Sequence, residues 1–186
     1  MAAILDPNDA KLFYDLWNPL IDYVNETYHV NPNLLKLAES SGQDINEIRV
    51  VIDYLWDHPE TIDDYLAFAD LPEKHKFIVA SWKRFVRDNF VLERHRNGGS
   101  IFIKLDENKN DKVYLVKGIY SSLQEMTTEI DDPPMMVTAT LIPFKDTIII
   151  DGVIVFRYSL AGSRYENFLK NLYYKAKDTN TIQVTL

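Results

Sequence analysis

The hydrophobic residues of this chain change their spacing once, at the loop Asn97-Gly98-Gly99. Before the loop, apolar residues recur at the spacing of an amphipathic helix. After the loop, apolar and polar residues alternate, as in strands. The sequence therefore predicts an α+β fold, in which a helical region, residues 1–96, packs on a β-rich region, residues 97–186. The second region is expected to be a mostly antiparallel sheet or small barrel with one long helix, because its strands are apolar on both faces.

The length and composition narrow the class of protein. A chain of 186 residues suits one integrated domain or two small ones. Its longest apolar runs, such as 147–150 and 153–156, are far shorter than the roughly 20 residues of a spanning helix, so no membrane contact is expected. The absence of cysteine excludes disulfides, thiolate nucleophiles and cysteine-bound metals. No secretory signal is visible in MAAILDPNDAKLF, which makes the cytoplasm the default location.

The net charge of -8 is distributed unevenly. Residues 1–72 hold 14 acidic and 3 basic side chains, whereas residues 73–117 hold 6 acidic and 11 basic ones. Such asymmetry indicates either a surface for an anionic partner or two parts of one protein that attract each other.

Local signals place the secondary-structure elements. Asp6-Pro7 is an N-cap followed by proline at the first helical position, and Asp44 with Glu47 three residues later marks another helix start. The predicted helices cover 7–24, 33–39, 44–56, 59–70, 72–92 and 122–126, and a last one begins at Ser163. Strands are predicted at 101–105, 112–116, 135–142 and 181–185 and on both sides of residues 151–152. The three tryptophans lie on apolar helical faces, which favours core packing over a ligand cage.

The segment TLIPFKDTIIIDGVIVFRY, residues 140–158, predicts a hairpin. Asp151-Gly152 between two β-branched runs is typical of a two-residue turn, since both positions need positive φ. In that register Asp146 faces Arg157 as a cross-strand charge pair, worth about 0.2–1 kcal/mol. These roles account for both acids without catalysis. Together with neighbouring cations, Asp146 also defines a second candidate pocket, which consists of Lys117, Lys145, Asp146 and Arg157.

A line of cations follows the predicted helix 72–92 and its continuation. The spacing of 7, 4 and 7 residues puts the first four members on nearly one side of the helix, and Arg96 continues the line; together they could bind the phosphates of a nucleic acid or another phosphate ligand. The alternative is that they pair with the acidic helices before Pro72, and the negative net charge favours this alternative. The members of this basic line are Lys76, Lys83, Arg87, Arg94 and Arg96.

No enzyme motif fits the sequence. The four histidines lack zinc-binding spacing, and Ser100 and Ser163 lack the context of a nucleophile elbow. The pair Glu107 and Lys109 is similar to the acid-lysine pair of metal-dependent nucleases but lies in a polar loop, where its geometry would be poorly fixed. No catalytic residue, metal or cofactor is therefore expected. A helix-turn-helix across residues 34–56 is rejected because its second helix is acidic and would repel DNA.

Several motifs together resemble a family of uncharacterised bacterial proteins, found mainly in gut Firmicutes. They are Trp82-Lys83 on a helix, VYLVKGI at 113–119, the pair Pro133-Pro134, and LIPFKDTIIIDG at 141–152. Ile142 stands where a leucine is usual in that family. The similarity extends from about residue 56 to residue 186, and it implies an intracellular bacterial protein without implying an activity.

These observations favour a non-enzymatic regulatory or protein-interaction module with an unknown protein partner. A nucleic-acid or phosphate-ligand binding protein that uses the basic line is the alternative. A metal-dependent nuclease or hydrolase is the third hypothesis.

Overall fold

The computed structural model describes residues 4–37, 44–127, 130, 132–160 and 162–186. The chain divides into two compact units, a helical unit of Asn8–Lys83 and a barrel unit of Met1–Pro7 with Arg84–Leu186. Helices precede a five-stranded mixed sheet, so the predicted α+β class is confirmed. Among the described residues no helix is both long enough and apolar enough to cross a bilayer.

Four helices and a short 3₁₀ turn occupy the first part of the chain. They are α1 (Pro7–Tyr28), α2 (Ile45–Asp57), α3 (Thr61–Phe68), α4 (Glu73–Ser81) and the 3₁₀ turn Trp82–Arg84. Helix α1 begins at the predicted proline, and α2 begins after the predicted cap, where the Asp44 carboxylate accepts a hydrogen bond from the Asn46 N–H at 2.9 Å. Satisfying this otherwise unpaired N–H fixes the start of α2.

The tryptophans form the core of the helical unit, as predicted. The ring of Trp17 lies 5.8 Å from that of Trp56 and 5.3 Å from that of Trp82, measured between centroids. Phe13 stacks on Trp17 at 5.5 Å. All four side chains are buried, so the aromatic rings contribute packing and not a ligand cage.

Two helix predictions are wrong in whole or in part. Residues 33–37 form turns and no helix, and residues 38 and 39 of that prediction lie outside the described residues. The predicted helix 72–92 ends at the 3₁₀ turn, and its second half belongs to strand β1 (Val86–Arg96). Residues 86–92 have strand geometry because they pair with β4 along their whole length. This pairing overrides a helical spacing of apolar residues, which alone is a weak predictor.

The barrel unit contains five strands in the order β1-β2-β3-β5-β4, closed by β1 pairing with β4. The other strands are β2 (Gly99–Lys104), β3 (Lys112–Lys117), β4 (Met135–Phe144) and β5 (Thr147–Ser159). All neighbours are antiparallel except β3 and β5. Helix α5 (Leu123–Thr127) lies between β3 and β4 in the chain, and α6 (Ser163–Asp178) follows β5. The predicted strand 181–185 is reduced to one bridge, between Tyr114 and Gln183.

Apolar residues form two layers because neighbouring residues of a strand face opposite sides of a sheet. The inner layer takes residues from all five strands, such as Phe90, Phe102 and Tyr114, and fills the barrel. The outer layer joins Val91, Ile101 and other residues of β1–β3 to α6. The outer face of β2 and β3 is therefore covered by α6.

The predicted hairpin turn at Asp151-Gly152 is wrong. The β4–β5 turn lies at Lys145 and Asp146, with Phe144 opposite Thr147, and β5 runs unbroken through Asp151-Gly152. These two residues belong to a bulge, where the single residue Thr140 of β4 faces residues 151–153 of β5. Gly152 has φ of +96°, so the signal for positive φ was correct but the structure that uses it is a bulge.

This barrel has the strand order of the OB fold, a five-stranded Greek-key barrel, with a helix between the third and fourth strands. In OB folds the face of the second and third strands binds oligonucleotides or oligosaccharides. A shared architecture alone does not establish a shared function.

Candidate functional site

The basic line predicted from the sequence is not a line in the structure. Lys76 lies on α4, 3.7 Å from Glu73, and Lys83 lies in the 3₁₀ turn, where it forms an ion pair with Asp63. Arg87, Arg94 and Arg96 lie on strand β1. Because the helix ends before residue 86, the helical spacing that would align the five cations does not exist.

Arg94 is held by Glu93 next to a bulge in β1. The pairing of β1 with β2 shifts by one residue between Leu92 and Arg94, so Glu93 is the extra residue. Both oxygens of its buried carboxylate accept hydrogen bonds from Arg94, one from Nε and one from Nη2, the latter at 2.7 Å. Hydrogen bonding to Glu93 raises the pKa of Arg94. A bulge brings neighbouring side chains together that a regular strand would point apart.

Arg94 and Arg96 both contact Tyr173 of α6. The guanidinium carbon of Arg94 lies 4.3 Å from the centre of the Tyr173 ring, and that of Arg96 lies 5.3 Å from it. Arg96 also donates a hydrogen bond to the Tyr173 hydroxyl. These two arginines of the basic line thus attach α6 to the barrel through cation–π contacts.

His95 has a defined tautomer. The hydroxyl of Thr127 donates its proton to the Gln124 carbonyl at 3.0 Å, so it accepts the bond from His95 Nε2, also at 3.0 Å. His95 Nδ1 therefore accepts from the Ser100 hydroxyl at 2.8 Å. Burial lowers the pKa of His95, against the opposing effect of Asp132. A ring with both nitrogens occupied is poorly placed to exchange protons with a substrate.

Glu93, Arg94 and His95 line an open cleft of about 370 Å³ on the barrel unit. Its other contributors are Pro133, Pro134, Glu166 and Lys170. Arg94, Glu93 and His95 are engaged with one another or with their neighbours, and the Glu166 carboxylate accepts a hydrogen bond from the Gly162 N–H at 3.3 Å. The lining of the cleft is charged and polar apart from its two prolines.

The second candidate pocket does not form as one site. Lys145 and Asp146 are exposed in the β4–β5 turn, whereas Arg157 lies ten residues beyond Thr147, near the other end of β5. Arg157 donates to the Thr138 hydroxyl at 3.0 Å, and the predicted pair with Asp146 is absent. Lys117 ends β3 opposite Ile149.

The described part of the chain contains no group of three His, Asp or Glu side chains arranged to hold a metal. Glu107 and Lys109 lie in the polar turn between β2 and β3, where Lys109 has φ of 62°. This turn is fixed by its own hydrogen bonds, such as Asn108 N–H to the Asp106 carboxylate at 2.7 Å.

A different surface, missed by the sequence analysis, lies on α3 and α4. Phe68 at the end of α3 is 81% exposed and Phe77 on α4 is 74% exposed, more than any other large hydrophobic side chain of the described residues. The two helices are consecutive and in contact. Ala67 and Ala80 are exposed on the same helices. We call these four residues, Ala67, Phe68, Phe77 and Ala80, the aromatic face.

Acidic side chains surround the aromatic face in the sequence and are held in place. Asp63 pairs with Lys83, and the Asp64 carboxylate accepts a hydrogen bond from the Tyr28 hydroxyl at 2.7 Å. That bond raises the pKa of Tyr28 to about 12. Asp70 lies between the two helices, Glu73 begins α4, and both are exposed. The helical unit holds 14 acidic and 6 basic residues, a net charge of -8 that equals that of the whole chain.

One sequence signal could have revealed this face. Phe77, Ile78 and Val79 are three consecutive apolar residues on one helix, and successive residues of a helix point about 100° apart, so they cannot all face one core. Ile78 and Val79 are buried and Phe77 is not. Phe68 gave no such signal, since it follows Tyr65 at helical spacing.

Comparisons of the chain with protein-family models, with curated proteins and with solved structures gave no match. The resemblance to the bacterial family therefore stays a prediction.

Proposed function

We propose that this protein is a non-enzymatic interaction module whose aromatic face binds a cationic segment of a protein partner. The observation that carries the proposal is the pair of exposed phenylalanines, Phe68 and Phe77, on adjacent helices of the acidic unit. Phe68 and Phe77 are the two most exposed large hydrophobic side chains of the described residues, and the helices that carry them are in contact; exposed apolar patches are typical of interaction sites.

Charge and apolar area together define the partner. A segment with lysine or arginine is attracted by the helical unit, and its apolar side chains cover Phe68 and Phe77. Full burial of a phenylalanine side chain contributes about 1.5–3 kcal/mol. Two such anchors suit a short amphipathic helix, in which leucine or aromatic residues recur at helical spacing among lysine or arginine residues.

Three observations disfavour nucleic acid as the partner. The outer face of β2 and β3, which binds oligonucleotides in OB folds, is packed under α6 through Leu169, Tyr173 and Ala176. Arg94 and Arg96 are engaged by Glu93 and Tyr173. The net charge of -8 would also repel a polyanion.

The test uses two synthetic peptides of equal charge. One is a helical peptide of leucine and lysine, and the other has every leucine replaced by serine. We expect the wild-type protein to bind the leucine peptide at least about tenfold more tightly, the equivalent of about 1.4 kcal/mol. The double variant Phe68→Ser/Phe77→Ser should lose this preference while keeping weak, salt-sensitive binding to both peptides.

Leu35→Ser is the matched control, since Leu35 is 66% exposed in the same unit but lies away from α3 and α4 in the sequence. This variant should bind as the wild type does. If the double variant keeps the preference for leucine, or if the wild type shows none, the aromatic face is not the binding surface.

A further inference from the structure

Strand β3 has an edge that β5 covers only in part. β2 pairs with β3 from Lys112 to Val116, but β5 pairs with it only at Val116 and Lys117, because β5 begins at Thr147. On the side away from β2, residues 113–115 are therefore not paired with β5. An uncovered strand edge presents N–H and C=O groups that another extended segment can pair with.

The segment 181–186 occupies this edge. The Leu115 N–H donates to the Gln183 carbonyl at 2.9 Å, and the Gln183 N–H donates to the Val113 carbonyl at 2.8 Å. On either side of Gln183, Ile182 packs on the outer layer and Leu186 on the inner layer of the barrel. The edge thus holds this segment by two backbone hydrogen bonds at Gln183 and by two apolar side chains, Ile182 and Leu186.

The connection between α6 and this segment is a compact turn. Asn180 has φ of 54°, its N–H donates to the Lys177 carbonyl at 3.2 Å, and the Thr181 N–H donates to the Ala176 carbonyl at 2.8 Å. Asparagine adopts positive φ at little cost and adopts extended geometry equally well. Extension of this turn would carry residues 181–186 away from their own barrel without unfolding α6.

We propose that the β3 edge at residues 113–115 is a strand-binding site, and that its partner is the segment 181–186 of a second copy of this chain. The pairing surface for that partner is present, since the same segment occupies it within one chain. Exchange of identical segments creates a two-fold dimer from contacts that already exist. A segment tethered by a short turn competes at an effective concentration of about 1 mM, so exchange is expected when the protein approaches that concentration.

The chain contains no cysteine, so single cysteines can report the exchange directly. One chain carries Leu115→Cys and the other carries Val184→Cys, the positions one residue beyond the Tyr114–Gln183 bridge. Neither can form a disulfide within itself. After incubation of the mixture near 1 mM and mild oxidation, we expect several times more disulfide-linked dimer than in either variant alone.

A single chain with both substitutions, Leu115→Cys/Val184→Cys, is the positive control and should form its disulfide internally at low concentration. Gln183→Pro removes the N–H that Val113 accepts, and adding it to the Val184→Cys chain should abolish the mixed dimer. If the internal disulfide forms but the mixture gives no excess of linked dimer, the exchange proposal is wrong. Failure of the internal disulfide would refute the pairing on which it depends.

Discussion

At the scale of single residues, Gly152 carries the most demanding backbone position of β5. Its φ of +96° lies in the region that glycine favours, and a Cβ built there meets nothing within 4 Å. Any cost of substitution therefore comes from the backbone and not from a steric clash. We expect Gly152→Val to lower the free energy of unfolding by about 1–3 kcal/mol, measured by urea denaturation followed by circular dichroism.

Gly152→Asn is the matched variant, because asparagine tolerates positive φ better than a β-branched residue does. It should destabilise less than Gly152→Val. Equal stability of the valine variant and the wild type would mean that the bulge does not require its glycine.

His95 makes the stability of the barrel depend on pH. Burial lowers its pKa below the usual 6.5, so below pH 6.5 the unfolded chain binds a proton that the folded protein does not bind. The free energy of unfolding therefore has its full value above pH 6.5, and it decreases as the pH falls through the pKa of the folded state. We expect His95→Gln to reduce this loss in melting temperatures measured between about pH 7.5 and 5.5.

His29→Gln provides the comparison, since His29 is exposed and lies in the helical unit. Its melting temperatures should follow the pH as those of the wild type do. An identical pH dependence of the wild type and the His95 variant would contradict a role for this residue.

At the scale of elements, α6 has one face that packs on the barrel and one that does not. Leu169 is fully buried in the outer layer, whereas the neighbouring Phe168 is 44% exposed. We expect Leu169→Ala to cost about 2–5 kcal/mol, because it removes a buried side chain and leaves a cavity. Phe168→Ala should cost less than about 1 kcal/mol in the same denaturation experiment. Similar losses for both variants would mean that α6 packs differently from the structure.

Strand β1 both closes the barrel and carries residues that line the cleft. Its first half pairs with β4 and its second half with β2, so it closes the barrel. The bulge at Glu93 lies in the second half, next to Arg94 and His95, which line the cleft. Closure and the cleft therefore depend on the same strand.

At the scale of the whole molecule, the net negative charge lies in the helical unit. Arg94 and Arg96 of β1 are engaged by Glu93 and Tyr173. We expect no micromolar binding of a mixed oligonucleotide at low salt, as measured by fluorescence anisotropy. Each phosphate neutralised in a real complex would contribute a slope of about -0.7 to -0.9 in a plot of log affinity against log salt. Micromolar binding with such a slope would restore the nucleic-acid hypothesis.

Charge reversal of Lys83 and Arg87 together separates the two hypotheses. The change should lower the melting temperature slightly, because Lys83 loses its partner Asp63 in an exposed ion pair worth at most about 1 kcal/mol. A double variant that loses oligonucleotide binding instead would identify the two cations as a phosphate-binding site.

The sequence by itself determined the features that depend on near neighbours. The caps at Asp44 and Ser122, the apolar stripe of α1, the β2–β3 hairpin and the start of α6 follow from residues within a few positions of one another. The positive φ at Gly152 was also readable, since it is a local preference of glycine. The fold class followed from the order of the helical and strand segments.

Only the tertiary structure decided the features that depend on distant partners. Residues 86–92 became a strand because β4 pairs with them, and the turn moved to Lys145 because the β4–β5 register places Asp151-Gly152 in a bulge. The five cations of the basic line are not aligned, because the helix that would have aligned them ends before residue 86. On α4 the core takes Ile78 and Val79 and leaves Phe77 exposed. Pairing and burial act between residues far apart in the chain, so local spacing cannot fix them.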